Sequence, residues 1–456
     1  GDHRDLHLSL HDALPISGEF LFNTLALPDT DIFRIEINNE FGSNIEDLFQ
    51  EITGIDVHGA SHLLEHMSFK SPRDYTSDGL LNKLKKYGER NATTSFDDLN
   101  YFYRTTMDYY AFAINAVVNI AYNDLSRVNE KEFNSERDVV LNEIKRYHDN
   151  KQMMFNIGMR AILEGKTKDN NILGSLDALQ ALSLDDLRKF KHLYNHYPKK
   201  VINIVYDPTK CDVNDLLELT MSEIRSMHTL KENIFDVENQ YMLPNTIVNS
   251  GEYKAEWDPE QSMIGILFDI TVNESVRSVG DVYLRELSEN NSMFKKIRDE
   301  KGLTYGVGMG RYNIGNKRST MFNVDVSVGN EDILLETLGE VLNACADEYT
   351  EEIHNDVLDT SRLKFTLRKT DLTIYEGLFY TAQKDRDIFE QIKDTVATDA
   401  TKMHEAKIDT MVTFDQVKNY LAGLKELFNN KDYILIKNRD RKSTRWTPVT
   451  VRSRMP

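Results

Sequence analysis

Two histidines and a glutamate within residues 59–67 have the types and spacing that suit metal-assisted hydrolysis. His62 and His66 stand four residues apart, so on a helix both imidazoles lie on one face and can bind one divalent ion. Glu65 lies between them, close enough to take a proton from water that the ion activates. The order His-x-x-Glu-His therefore predicts a metal-dependent hydrolase. Taken alone, it also fits an amphipathic helix with two surface histidines.

A metal site of this kind needs a third ligand, and a later helical pattern contains a candidate. Within residues 133–146, Glu136 and Glu143 stand seven apart, two turns along one helix face. A carboxylate would complete the set of two histidines and one glutamate found in catalytic zinc sites, with the fourth position left for water. Glu143 is therefore a candidate ligand. Spacing alone leaves open whether the two helices meet, because charged residues on helices are usually solvated.

An internal repeat indicates that two domains of one fold position these residues. Residues 183–190 align without gaps with residues 413–420, and each segment has an N-cap Ser or Thr with an acid or amide three residues later. Each is followed by an apolar run, 201–206 and 432–436, which predicts a strand. Strands alternate with long helical patterns in both halves. The predicted fold class is α+β, with a mainly antiparallel sheet packed with helices in each domain.

The domain boundaries follow from composition and periodicity. We place the first domain at 18–228, a linker at 229–245, where periodicity is lost and a proline occurs, and the second domain at 246–439. Residues 1–17 and 440–456 resemble translated frames of sequencing adapters, so we expect neither to belong to the native protein. No targeting signal can then be read, and the cytoplasm is favoured as the compartment.

Composition excludes several classes of protein. The 456 residues are 28% charged, with a formal net charge of −19, which predicts a soluble globular chain of two or three domains. No run of about eighteen apolar residues occurs, which argues against a membrane-spanning helix. The acidic balance argues against a nucleic-acid partner. Cys211 and Cys345 stand in unrelated contexts, so neither a disulfide framework nor a thiolate metal site is expected.

Several further short segments, taken with the histidine motif in their order along the chain, form a recognisable pattern. Glu143 follows His66 after 76 intervening residues, and the other segments lie at 59–61, 91–94, 136–143, 172–174 and 294–305. In this order they resemble the insulinase/pitrilysin family of zinc peptidases, whose inverted zinc motif is His-x-x-Glu-His. The resemblance covers nearly all of residues 18–439. In size the chain is similar to the subunits of mitochondrial processing peptidase.

This resemblance implies a role for each residue around the metal. His62, His66 and Glu143 are the implied ligands of Zn²⁺. Glu65 is the implied general base. Glu136 is the implied second carboxylate, which orients the ligands from outside the metal's own ligand set.

The resemblance also implies four residues that contact substrate. Asn91 and Ala92 match the edge strand on which such enzymes hold an extended peptide by strand addition. Arg298 and Tyr305 match a pair from the second domain that donates to the scissile carbonyl oxygen. Without the resemblance, Arg298 would be interpreted as a surface residue in an ion pair and Tyr305 as a core residue.

The function implied by the resemblance is a zinc-dependent endopeptidase that hydrolyses unfolded peptides or presequences inside an enclosed chamber. Family members of this size form half of a clam-shell, so a homodimer or a related second subunit is expected. One alternative is a catalytically inactive structural or peptide-binding subunit of a processing-peptidase-like complex. Another is metal-dependent hydrolysis of a non-peptide substrate. The complete set of ligands and base favours the peptidase.

Overall fold

A computed structural model of the chain describes residues 20–39, 41–96, 98–148, 150–164, 171–196, 200–227, 249–255, 261–314, 317–367 and 412–438. These residues form two compact units. The first contains the described residues of 20–148 and 171–227, and the second contains 150–164 and those from 249 onward. The predicted linker, 229–245, and both terminal segments lie outside the described residues, so the predicted domain boundaries stay predictions.

The first unit is a five-stranded sheet packed with helices. Its strands are β1 (Phe20–Ala26), β2 (Ile32–Asn39), β3 (Glu89–Thr94), β4 (Leu99–Thr106) and β5 (Lys200–Tyr206). Its helices are α1 (Ile45–Thr53), α2 (Ala60–Met67), α3 (Ser77–Tyr87), α4 (Tyr110–Ala121), α5 (Glu130–His148), α7 (Leu176–Ala181), α8 (Leu184–His196) and α9 (Val213–Met227). Among the described strands the order is β1-β5-β2-β4-β3, and β1 with β5 is the parallel pair.

Alternating residue types explain how these strands lie in the sheet. In β2, Phe33, Ile35 and Ile37 are fully buried in the core of the first unit, while the intervening Arg34 and Glu36 pair at 2.8 Å. Strand β3 alternates between exposed and half-buried residues. Among the described strands it has β4 on one side only, and it therefore forms an edge of the sheet.

The second unit repeats this topology. Its strands are β6 (Gly251–Ala255), β7 (Gln261–Phe268), β8 (Val307–Ile314), β9 (Lys317–Ser327) and β10 (Ile434–Asn438). Its helices are α6 (Lys151–Glu164), α10 (Glu274–Val282), α11 (Glu331–Glu348), α12 (Glu351–Leu367) and α13 (Phe414–Asn429), with π-helical turns at Tyr283–Leu287 and Phe294–Glu300. The described strands are ordered β6-β10-β7-β9-β8, the order of the first sheet. The predicted α+β class with two similar domains is confirmed.

The aligned segments of the sequence repeat occupy equivalent places in the two units. Ser183 precedes α8, and its hydroxyl accepts a hydrogen bond of 3.1 Å from the amide of Asp186. Thr413 precedes α13 and forms a capping box with Gln416. Each helix leads into the strand at the second position of its sheet, β5 or β10. Local capping signals thus mark the same helix in both domains.

Helix α6 belongs to the second unit although it lies within the first half of the sequence. Phe155, Met159 and Leu163 are buried against Met263, Leu267 and Ile436. Their spacing of four residues places one apolar stripe of the helix on the sheet. No helix within the described ranges is long and apolar enough to cross a bilayer.

Candidate active site

Helix α2 carries the histidine motif on the face that points away from the core. Leu63, Leu64 and Met67 are fully buried in the core of the first unit, while His62, Glu65 and His66 are partly exposed. The helix contacts both α5 and the edge strand β3. The amphipathic pattern therefore directs the three polar side chains toward the elements that carry the other candidate residues.

The start of α2 depends on two glycines. Gly59 has a φ of 97°, in the left-handed region that side chains other than glycine rarely adopt. A Cβ at Gly59 would lie 2.5 Å from the carbonyl oxygen of Leu173, and a Cβ at Gly174 would lie 2.2 Å from the amide nitrogen of Gly59. Because both residues lack a side chain, the backbone at Gly59 can pack directly against the backbone at 173–174. This contact fixes the position at which the helix begins.

A buried carboxylate also holds the beginning of α2. Glu46, from α1, is 1% exposed, and its two oxygens accept from the amides of Gly59, at 3.0 Å, and Ser61, at 2.8 Å. Burial raises the pKa of Glu46 to about 7, against the opposing effect of these hydrogen bonds. The first amides of a helix lack partners within it and carry partial positive charge. Glu46 satisfies two such groups and orients the motif helix.

His58 lies in the same turn, and both of its ring nitrogens contact aspartates outside the histidine motif. Its Nδ1 lies 2.7 Å from Asp56 Oδ1 and its Nε2 lies 2.9 Å from Asp47 Oδ1. Burial alone lowers the pKa of His58, but the hydrogen bond to Asp47 and the charges of Glu46 and Asp56 outweigh it and raise the pKa to about 9. The imidazolium thus offsets the surrounding carboxylates.

Replacing Glu46 with alanine is expected to lower the free energy of unfolding of the first unit by about 2–4 kcal/mol, because two buried amides lose their acceptor and a cavity forms. Urea unfolding followed by circular dichroism measures this change. The matched control is Glu51→Ala, since Glu51 is exposed on the same helix. Equal stability of the two variants would contradict this role of Glu46.

The structure brings His62, His66 and Glu143 together. Glu143 Oε2 lies 3.6 Å from His62 Nε2 and 3.7 Å from His66 Nε2, and the two imidazole rings are perpendicular. Ligand atoms in a tetrahedral zinc site with bonds of ~2.1 Å are about 3.4 Å apart. Within the described part of the chain, this is the group of three potential ligands whose donor atoms all lie within 4.8 Å of one another. The arrangement fits a zinc ion.

The protonation state of His62 also fits a metal ligand. Burial, and then the charge of His66, lower the pKa of His62 to about 4, so its imidazole is neutral at pH 7. A histidine must be neutral to bind a metal. Nε2 of His62 is the ring nitrogen that faces Glu143, so this is the atom that a zinc ion would bind.

Negative charge surrounds His66. Burial lowers the pKa of His66, but the hydrogen bond to Glu136 and the charges of Glu143 and Glu65 outweigh that effect and raise it. The distance from His66 Nδ1 to Glu136 Oε2 is 3.3 Å. Such a carboxylate on the far nitrogen fixes the tautomer and the orientation of a ligating imidazole. Glu136 therefore lies where the sequence predicted an orienting carboxylate.

Lys70 is a further member of this network that the sequence analysis did not identify. Its Nζ lies 2.5 Å from Glu136 Oε1, and the hydrogen bond from His66 and the contact with Lys70 hold the pKa of Glu136 below its usual range despite partial burial. Lys70 follows His66 by four residues. That spacing was the available signal, but α2 ends at Met67, so helical periodicity alone does not place Lys70.

Glu65 is held by a threonine of the edge strand. The hydroxyl of Thr94 donates to Glu65 Oε2 at 2.7 Å. Burial raises the pKa of Glu65, and the hydrogen bond from Thr94 opposes that rise. A raised pKa makes a carboxylate a stronger base near neutral pH. The sequence resemblance implies roles for Asn91 and Ala92 in this strand but none for Thr94.

Comparison with known proteins supports an assignment of this chain to a protein family. Residues 54–175, which contain the motif and Glu143, match the model of the insulinase family, peptidase family M16. This match and the zinc-protease relatives support the insulinase/pitrilysin family that the sequence resembles. It is 25% identical over 238 residues to the zinc protease PqqE of Helicobacter pylori, a match that covers 50% of this chain and 50% of the relative. The chain thus spans about half the length of that relative.

Another relative and two solved structures are also similar to this chain. The uncharacterized zinc protease YmxG of Bacillus subtilis is 23% identical over 301 residues, which cover 63% of this chain and 68% of that protein. A crystal structure of a protease from Helicobacter pylori has a TM-score of 0.70 at 18% identity, with 93% of this chain and 98% of that chain covered. An inactive M16 peptidase domain from Pseudomonas fluorescens has a TM-score of 0.66 at 13% identity, over 92% and 96% of the two chains. At these identities the structural likeness establishes the fold alone.

The residues predicted to hold an extended peptide lie on β3. Asn91 is exposed, and Ala92 is half-buried against the core of the first unit. The backbone of an edge strand offers amides and carbonyls to an added strand. The position therefore suits the role expected in this family, which stays a prediction.

Arg298 and Tyr305 lie in the second unit. Arg298 Nε donates to Asp299 Oδ1 at 2.8 Å, and the guanidinium carbon lies 4.9 Å from the ring centre of Phe294. The side chain of Tyr305 is 96% exposed. A tyrosine so exposed contributes nothing to the core of its unit, so the interpretation as a core residue is wrong. Their family role as donors to substrate stays a prediction.

Proposed function

We propose that this chain is a zinc-dependent endopeptidase that hydrolyses unfolded peptides or presequences inside an enclosed chamber. The observation that carries the proposal is the approach of His62, His66 and Glu143 to one point, because these side chains come from two helices and form the donor set of catalytic zinc sites. Family membership and the names of the zinc-protease relatives support the same function.

In the proposed mechanism, one carboxylate oxygen of Glu65 carries the proton that is transferred during hydrolysis. His62, His66 and Glu143 would hold a zinc ion, which would supply the Lewis acidity that activates water and polarises a carbonyl group. Glu65 takes the proton from the attacking water and later delivers it to the nitrogen of the leaving amine. Thr94 already donates to Oε2 of Glu65, so we assign the proton transfer to Oε1. Glu136 and Lys70 keep His66 in its orientation.

The proposed substrate is an extended segment of polypeptide. A peptide that adds to β3 must have its own backbone groups available, which a folded protein rarely offers. Asn91 and Ala92 are the proposed contacts on that strand. Arg298 and Tyr305 are proposed substrate contacts on the family resemblance alone. The proposed partner is a second copy of the chain or a related subunit, since family members of this size form half of a chamber.

Hydrolysis of an unstructured fluorogenic peptide by the full chain tests this proposal. The zinc-loaded protein is expected to cleave the peptide, to lose activity after a chelator removes the metal, and to regain it when zinc returns. A folded domain of similar composition is the control substrate and is expected to stay intact. Full zinc loading without cleavage would instead favour the inactive, peptide-binding subunit.

A further inference from the structure

Thr94 connects two parts of the candidate site, the edge strand β3 and the side chain of Glu65. It is the last residue of β3, the strand on which peptide is proposed to lie. Its hydroxyl donates to Oε2 of Glu65, the proposed base, over 2.7 Å. A hydrogen bond from a hydroxyl to a carboxylate is shorter and stronger than one between neutral groups. The contact therefore restrains the side chain from which the proton transfer is proposed.

The backbone around Thr94 is held on both sides. Within the sheet, Thr94 pairs with Leu99 of β4. In the turn that follows, the amide of Ser95 donates to the carbonyl of Asp98 at 2.8 Å, and the carbonyl of Ser95 accepts from the amide of Ser43 at 3.0 Å. A side chain is positioned well only when its own backbone is fixed. These contacts give the Thr94 hydroxyl a defined location.

Strand alternation separates Thr94 from its neighbour. Thr93 is exposed, whereas Thr94 is half-buried on the face that also carries Ala92. The two threonines have the same side chain, belong to the same strand and differ in the face they occupy. Thr93 lies on the strand and the face of Asn91, a proposed peptide contact, so the control for substitutions at Thr94 is Thr106, an exposed threonine that ends β4.

We propose that Thr94 is a positioning residue that ties the substrate-binding edge strand to the general base Glu65. The inference rests on the proposed function for the identity of the base and of the strand. A glutamate side chain has three rotatable bonds, and catalysis needs its carboxylate within about 0.5 Å of the productive position. Without the hydroxyl, the partly buried carboxylate loses a donor and takes up other rotamers. Binding of substrate does not require this contact, whereas proton transfer does.

Kinetics of three variants of the full chain test the proposal. Thr94→Val keeps the shape and strand preference of threonine but removes the hydroxyl, and it is expected to lower kcat by about 10- to 100-fold, the effect of one charged hydrogen bond. KM and zinc content are expected to stay unchanged. Thr94→Ser restores a hydroxyl at the same place and is expected to keep most of the activity. Thr106→Val is expected to behave as the wild type.

Three kinetic outcomes would overturn the proposal. In the first, Thr94→Val keeps the full kcat. In the second, Thr94→Ser loses as much activity as Thr94→Val, which indicates a role for the methyl group or for packing. In the third, KM rises while kcat is unchanged, which indicates substrate binding alone.

Crystal structures of the same zinc-loaded variants provide a readout that does not need activity. The Glu65 carboxylate is expected to leave its position in Thr94→Val and to keep it in Thr94→Ser and Thr106→Val. An unchanged carboxylate in Thr94→Val overturns the proposal. If the wild type cleaves no peptide, the proposed function fails, and the position of Glu65 in these crystals still decides whether Thr94 positions it.

Discussion

Replacing Glu65 with glutamine is expected to lower kcat/KM for an unstructured peptide by about a thousandfold while the zinc content stays unchanged. Glutamine has the size of glutamate, and its amide oxygen can still accept from the Thr94 hydroxyl, but it cannot take a proton from water. Glu65 is not among the three side chains whose donor atoms converge, so zinc binding does not depend on it. Steady-state kinetics and metal analysis of the same preparation measure both quantities.

The control for this experiment is Glu51→Gln. Glu51 is exposed on α1, and its substitution removes the same charge without touching the site. Activity of Glu65→Gln near that of the control would mean that another group accepts the proton. Loss of zinc from Glu65→Gln would mean that Glu65 helps to hold the metal, and the assigned ligand set would be wrong.

Replacing Glu143 with glutamine is expected to remove both zinc and activity. Glu143 Oε2 lies 3.6 Å and 3.7 Å from the two imidazole nitrogens, so it is the only negatively charged donor in the converging group. A neutral amide binds zinc poorly, and two histidines alone leave the ion short of a ligand. Loss of a residue that only hydrogen-bonds a metal ligand weakens metal binding by roughly 10- to 100-fold, and the loss of zinc affinity in Glu143→Gln is expected to be larger. Competition with a chromogenic chelator measures that affinity.

Glu136→Gln is the matched comparison for Glu143→Gln. Both glutamates lie on α5, seven residues apart, but Glu136 contacts the far nitrogen of His66 and not the converging donor atoms. We expect Glu136→Gln to bind zinc more weakly by about 10- to 100-fold and to keep measurable activity. Equal zinc affinity in the two variants would contradict the separate roles of these carboxylates.

Lys70 and Glu46 illustrate what local pattern cannot reveal. Lys70 lies beyond the end of α2, so its contact with Glu136 depends on the turn that follows the helix. Glu46 is one of two adjacent acids in the first turn of α1, and its sequence context resembles that of an ordinary solvated residue. Its burial and its two amide donors come from α2, which begins fourteen residues later in the chain. Only the packing of α1 against the beginning of α2 distinguishes the buried Glu46 from the adjacent Asp47.

The sequence by itself determined the features that depend on short spacings. The four-residue separation of His62 and His66 places both imidazoles on one face of a helix, and the Ser and Thr caps mark the repeated helix in each domain. Apolar alternation predicted strands, and the repeat predicted two domains of one fold, whose sheets have the same strand order in the structure. These features were readable because helix and strand periodicities are properties of consecutive residues.

Tertiary structure alone decided which distant residues meet. Glu143 reaches both imidazoles although 76 residues lie between it and His66, and Thr94 reaches Glu65 from a strand at the edge of the sheet. Neither distance follows from spacing, because each depends on how α2 packs between α5 and β3. That packing results from burial of Leu63, Leu64 and Met67 in a shared core. The hydrophobic effect is non-directional and scales with buried apolar area, so local spacing identifies the candidate ligands but not their convergence.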